Sequence, residues 1–266
     1  SAAMSGEAKS RARLGLPGVQ EELIRALHAT GKPLVVVVNA GRPLVLEWVA
    51  EQVPAIVYAW WLGSEAGHAL ADVLFGDVNP AARLPMTFVR DEGQIPLHYN
   101  HPNTGRPWRA DADTAYIGGY IDMTPTPRWA FGHGLSYTCF EYGTPTFEVS
   151  GHQAAAGGVP RLRAGETGVL RMTLRNTGAM DGDEVVQLYL RDRVASLVRP
   201  VKELKGWQRV HLAAGESREV SFAIERDLLG FWNDRGQWVV EPGEFELMIG
   251  ASSADIRQRL VFEWVE

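Results

Sequence analysis

The sequence predicts an α/β region followed by an all-β region: a partial parallel-sheet α/β sandwich domain, then a fibronectin/immunoglobulin-like β-sandwich. Three observations predict it. Short apolar runs alternate with helical stripes up to residue 75, seven prolines crowd the next sixty residues, and short alternating segments divided by turn residues fill the rest.

In chain order, Pro17 suits a first helical position, and Val19, Leu23, Ala26 and Leu27 follow as an apolar stripe at i, i+4, i+7 and i+8. Gly31 and Pro33 end that helix. Residues 34–38 form a continuous, mostly β-branched apolar run, expected for a strand buried on both faces. Gly41 and Pro43 punctuate. Residues 44–52 then read as a second helix, 55–61 as a second buried strand and 65–75 as a third helix. Strand and helix in this alternation imply parallel pairing through right-handed crossovers.

Between residues 76 and 138, Pro80, Pro85, Pro96, Pro102, Pro107, Pro125 and Pro127 exclude long helices and central strands. Trp108, Tyr116, Tyr120, Trp129 and Phe131 are dense in the same stretch, so it reads as chain pinned against a neighbouring surface rather than a free linker. Residues 170–174, 184–190, 218–224 and 245–249 then alternate as short strands, with turns at Asn176-Thr177-Gly178, Asp181-Gly182, Ala214-Gly215-Glu216 and Glu241-Pro242-Gly243. The expected organisation is 1–100 for the α/β part, 101–142 for the packed linker and 143–266 for the β-sandwich.

The chain has 266 residues, 45% hydrophobic and 22% charged, an ordinary balance for a folded protein. Its formal charge is −6 and no basic run stands out, which argues against nucleic acid as a partner. The apolar runs are too short to span a bilayer, and residues 1–9 lack the pattern of a signal peptide. Cys139 is the only cysteine, so neither a disulfide framework nor a cysteine-held zinc is expected. Because the first helix-and-strand unit starts almost at once, the chain reads as a piece of something longer.

Motifs for chemistry are mostly missing. No GxGxxG or Walker loop is present. His98 and His101 stand three apart without a third spaced ligand, so no metal site is expected. Ser136 in Gly134-Leu135-Ser136-Tyr137-Thr138 lacks the second glycine and the setting of a nucleophile elbow. Asp181, Asp183 and Glu184 miss calcium-loop spacing and read as a solvated hairpin. Glu7 lies in the small-residue stretch Ser5-Gly6-Glu7-Ala8. It is either an exposed glutamate near a helix start or a carboxyl that a loop delivers into another domain's cleft.

Several stretches, in order and over essentially the whole chain, resemble glycoside hydrolase family 3, the β-glucosidase and β-xylosidase family. Glu7-Ala8-Lys9-Ser10-Arg11 with Leu16-Pro17-Gly18-Val19-Gln20 is similar to the family's E-x-x-S-R…L-P-x-x-Q. Gly31-Lys32-Pro33 with Gly41-Arg42-Pro43-Leu44 is similar to its strand and turn. Leu74-Phe75-Gly76-Asp77-Val78-Asn79-Pro80, Arg83-Leu84-Pro85 and Phe131-Gly132-His133-Gly134-Leu135-Ser136-Tyr137-Thr138 are more specific. Arg199-Pro200-Val201-Lys202-Glu203-Leu204 resembles the family's C-terminal fibronectin-like domain. Ala82 departs from the glycine often found there.

The resemblance implies the end of an α/β sandwich domain plus a fibronectin type III-like domain, with a nucleophile-bearing barrel lying outside this chain. It implies retaining hydrolysis of terminal β-D-glucosyl residues, with two carboxyl groups about 5 Å apart. Glu7 matches the family's general acid/base by motif position. His101 or Arg106, in a segment that packs toward the barrel, would contact substrate. The implied partners are an N-terminal barrel portion and a β-glucoside or oligosaccharide. No cofactor is implied, a homo-oligomer stays open, and the implied location is periplasmic or secreted. A β-xylosidase or other exo-glycosidase, and a non-catalytic carbohydrate-binding or scaffolding fragment, are the alternatives.

Overall fold

The structure, a computed structural model, describes residues 9–109, 117–150, 152–153 and 158–266. The chain divides into two compact units. The first comprises the described part of Ser1–Val78 with Met86–Leu97 and Tyr120–Ala130; the second comprises Asn79–Pro85, the described part of His98–Gly119, and that of Phe131–Glu266.

In the first unit the order is α1 (Gln20–His28), β1 (Val35–Val38), α2 (Glu47–Gln52), β2 (Ala55–Tyr58) and α3 (Ala66–Phe75). β1 and β2 pair in parallel, Val35 opposite Ala55 through Val38 opposite Tyr58. The helix–strand alternation expected from the sequence is therefore present, with shorter elements. Val38, Leu46, Val49 and Val53 form the buried centre, and Leu16, Ile24, Leu34, Val36, Ile56 and Trp129 pack against it. Burial of β1 is one-ended, however. Val38 is inside while Val35 is 47% exposed, and the α1 stripe Val19, Leu23 and Leu27 is exposed as well. Among the described residues, none covers these apolar side chains.

Two proline-rich segments complete this unit. Phe88 and Trp129 form an antiparallel bridge. Glu47, in the first turn of α2, accepts hydrogen bonds from Arg90 Nη1 (2.7 Å) and from Arg128 Nε and Nη2 (both 2.7 Å). Burial alone would raise the Glu47 carboxyl, but these two guanidinium groups outweigh it and hold the group below its ordinary value. Arg90 Nε also donates to the Thr126 carbonyl, and Gln94 Nε2 to those of Thr124 and Thr126.

The second unit is a β-sandwich. One sheet runs β10 (Ser217–Ile224), β7 (Gly168–Asn176), β4 (Thr146–Val149), β5 (His152–Gln153), with β3 (Phe140–Tyr142) also on β7. The other runs β6 (Arg161–Arg163), β14 (Ile256–Val265), β13 (Gly243–Gly250), β8 (Gly182–Asp192), β9 (Glu203–Leu212). The hairpin β11 (Phe231–Trp232) and β12 (Trp238–Val239) stands apart, after the short helix α4 (Arg226–Leu229). β7 alternates strictly, its buried positions including Leu170, Met172 and Leu174, because one face meets the opposite sheet. Leu188, Leu190, Leu247, Ile249, Phe262 and Trp264 answer from that sheet. Phe147 and Phe245 stack on Phe262 at 5.2 and 5.6 Å between ring centroids.

Each of the four expected strands lies inside a longer one. β9 and β14, absent from the pattern reading, are both present, and β14 turns Leu260, Phe262 and Trp264 to one face, the last two buried. The expected solvated hairpin at Asp181–Glu184 is corrected. Glu184 is 5% exposed and accepts from Arg83 Nη2 at 2.6 Å, and Asp183 pairs with His211 and Arg209. Glu184 meets an arginine brought from about a hundred residues away, and Asp183 meets Arg209 and His211 from about thirty.

Candidate functional site

The carboxyl end of the β1–β2 pair is where an open α/β sheet offers its loops to a ligand. After β1 the chain turns through Gly41-Arg42-Pro43; after β2 it enters Trp60-Trp61. Trp60 is held at φ 51°, the left-handed region uncommon for a bulky side chain. Its ring sits 5.0 Å from Tyr58 and 6.0 Å from Phe88, and Phe88 also meets Tyr58 at 4.9 Å and Trp129 at 5.7 Å. These edge-on contacts between aromatic rings keep the strained residue in place. Trp61 is 70% exposed. Its indole Nε1 lies where a Cβ on Gly41 would come within 2.6 Å, so any other residue there would have to displace the exposed ring.

The segment that leads in from the N-terminus is fastened at this edge. Arg42 Nη1 donates to Ser10 Oγ (3.1 Å) and to the Arg11 carbonyl (2.7 Å). The Tyr58 hydroxyl donates in turn to the Arg42 carbonyl. Burial pushes the Tyr58 phenol up to about 12, so it stays a donor at any working pH. Further along, the Val45 amide donates to the Leu14 carbonyl (3.0 Å), and Glu92 accepts from the Leu14 amide (2.5 Å) and from Arg13 Nη1 (3.3 Å). Glu7, the expected acid/base, lies outside the described residues.

His101 and Arg106 belong to the second unit. His101 is exposed, with Nδ1 2.9 Å from the Pro102 carbonyl, and its own carbonyl accepts from the Val201 amide at 3.0 Å. Pro102 and Pro200 bridge beside it. Arg106 is exposed, and its carbonyl accepts from the Gly118 amide at 3.3 Å. Among the described residues, no group of three or more His, Cys, Asp or Glu side chains is placed to hold a metal ion, and no helix is long and apolar enough to cross a membrane.

The most specific motif residues prove architectural. Asn79 Oδ1 accepts from Ser136 Oγ and the Tyr137 amide, both 2.9 Å, while Nδ2 donates to the Asp181 carbonyl at 3.0 Å. Thr138 Oγ1 donates to Asn176 Oδ1 at 2.6 Å. Gln187, 3% exposed, donates from Nε2 to the carbonyls of Gly132 (3.1 Å) and Ala251 (2.7 Å) and accepts from the Tyr189 hydroxyl (2.6 Å). Ser136 is thus a bracing hydroxyl. Pattern reading missed Tyr58 and Gln187 and took Arg42 and Asn176 only as parts of turns.

Residues 1–137 match the glycosyl hydrolase family 3 C-terminal domain, and residues 184–253 a fibronectin type III-like domain. A periplasmic beta-glucosidase of Salmonella typhimurium is 42% identical over 260 residues, 96% of this chain and 32% of the relative. A beta-xylosidase of Formosa agariphila is 44% identical over 248 residues, 93% of this chain and again 32% of the relative. The crystal structure of a beta-glucosidase from Listeria innocua in complex with glucose is 37% identical, with a TM-score of 0.88 over 98% of this chain and 35% of that one. The chain spans about a third of the length of the curated relatives it matches.

Proposed function

Since the chain belongs to the glycosyl hydrolase family 3 C-terminal domain family, we propose that it is the C-terminal portion of a retaining β-glucosidase acting on terminal non-reducing β-D-glucosyl residues. The observation that carries this is the match of fold and sequence to one end of much longer glycosidases. On this reading a barrel outside the chain supplies the nucleophilic carboxylate, and Glu7 supplies the general acid/base. The nucleophile attacks the anomeric carbon while Glu7 gives its proton to the departing glycosidic oxygen. The Glu7 carboxylate then takes a proton from water, whose oxygen displaces the nucleophile and releases the sugar. Closing the segment against the barrel would desolvate Glu7 and raise its pKa toward the acid role.

The uncovered apolar side of the first unit supports an incomplete domain that needs its missing neighbours. His101 and Arg106 remain proposed substrate contacts, and residues 1–100, 101–142 and 143–266 the proposed functional divisions. The Salmonella relative's description supports a periplasmic or secreted location. Because a beta-xylosidase is equally similar, xylosides are the second substrate to test.

The test is hydrolysis of chromogenic aryl β-glucosides and β-xylosides by this chain alone and by the chain assembled with a family barrel. Activity only in the assembly, lost in Glu7→Ala and partly restored by azide, is expected. Activity from the chain alone would overturn the division of the two carboxyl groups. A folded assembly without activity would favour a scaffolding or carbohydrate-binding role.

A further inference from the structure

We propose that Tyr99 is a positioning residue for His101, fixing its segment against residues 199–204 of the β-sandwich; this rests on the reading of His101 as a substrate contact. The two segments run antiparallel, with Pro102 opposite Pro200 and the Val201 amide donating to the His101 carbonyl at 3.0 Å. Neither proline has an N–H to give, so the pair cannot close into an ordinary ladder. Tyr99 supplies what the backbone lacks. Its hydroxyl accepts from the Leu204 amide at 3.2 Å. Its ring stacks on Phe131 at 4.3 Å and meets the buried Tyr189 edge-on at 5.8 Å. His101 is thus held at its own carbonyl and by a ring fixed two residues earlier.

The stretch that receives the segment is itself braced. Arg199, its side chain 8% exposed, donates from Nη2 to Glu203 (2.8 Å) and from Nη1 to Asp192 (3.4 Å), and its guanidinium lies 4.5 Å from the centre of the Phe231 ring. Lys202 Nζ donates to the Ser253 carbonyl at 2.6 Å. The Ser253 amide donates in turn to the carbonyl of Phe131 at 3.0 Å, the residue whose ring stacks on Tyr99. On His101 itself, Nδ1 donates to the Pro102 carbonyl at 2.9 Å, so the neutral ring presents Nε2 as an acceptor, suited to a sugar hydroxyl. Such a contact depends on where the ring is held, and loosening its supports weakens binding before it alters the chemical step.

The test uses the active enzyme containing this chain and reads KM and kcat on an aryl β-glucoside, with an unfolding midpoint for every variant. His101→Ala is the reference and should raise KM about tenfold with kcat held within about twofold. Tyr99→Ala should move KM the same way and add nothing further in the His101→Ala background. Tyr99→Phe, which keeps the stacked ring and loses the hydroxyl, should raise KM about two- to threefold. Hydrogen exchange at the Val201 and Leu204 amides should quicken in Tyr99→Ala. If His101→Ala leaves KM unchanged, the substrate-contact reading fails and the positioning role with it. If His101→Ala raises KM while the two Tyr99 variants leave it unchanged, or add their full effect on top of it, the positioning role is overturned and the contact reading stands. Where Tyr99→Ala does not fold, Tyr99→Phe decides alone.

Discussion

Gly132 and Gly215 both sit in the left-handed region, at φ +82° and +79°, and separate two causes that glycine alone cannot distinguish. Around Gly215 a Cβ would meet nothing within 4 Å; at Gly132 it would come 2.1 Å from Gln187 Oε1. Gln187 cannot give way without straining its three hydrogen bonds, two of them buried. Gly215→Ala should therefore cost only the backbone penalty, about 1–2 kcal/mol. Gly132→Ala should add the loss of buried partners, about 1–3 kcal/mol more. Urea unfolding of the two variants under one condition measures the difference, and equal losses would mean that Gln187 is not fixed as described. Glycines at both positions are visible in the sequence, but the side chain that makes one of them obligatory lies 55 residues further on.

At the level of elements, helix α2 shows how a short piece is stabilised from outside. It has six residues and no side-chain cap, too little to stand alone. Its first-turn Glu47 instead receives Arg90 and Arg128 from the two proline-rich segments, 43 and 81 residues distant. A carboxyl held below its ordinary value contributes stability that is complete above that ordinary value and is lost as pH falls through the depressed one. Glu47→Gln should thus destabilise the protein at pH 7, and the gap from the parent should close as pH drops below 4.5, the carboxyl's ordinary value. Denaturant midpoints at pH 7 and pH 3 test this; a gap that stays constant would remove Glu47 as the titrating group. The helix itself was legible from its apolar pattern, whereas its reliance on two arginines was not, because the proline-rich segments carry no periodic signal.

For the molecule as a whole, the instructive residues are apolar ones left in water. Val19, just before α1, and Leu23 and Leu27 on it are 68%, 59% and 46% exposed. Isolated exposed apolar residues are ordinary, but an exposed helical stripe asks for a cover. With a barrel and the rest of the α/β domain proposed outside the chain, Leu23→Glu and Leu27→Glu should leave the chain's own unfolding midpoint unchanged and reduce its self-association. The same pair should abolish recovery of activity on mixing with the missing portion. Sedimentation and the aryl-glucoside assay report the two effects, and a double variant that still assembles would place the cover elsewhere.

The sequence by itself determined the helix–strand order of the first unit, four strands of the sandwich, and the motif series that marks the family, since periodicity and turn chemistry act over a few residues. Tertiary structure decided what each motif does. Asn79 with Asp181, Arg83 with Glu184 and Gln187 with Gly132 meet across 55 to 102 residues, and no local pattern encodes such a pair. It also decided that the α1 stripe is surface and that the acidic turn at Glu184 is interior. Burial depends on which other segments arrive, and a stretch of sequence holds no record of its neighbours in space.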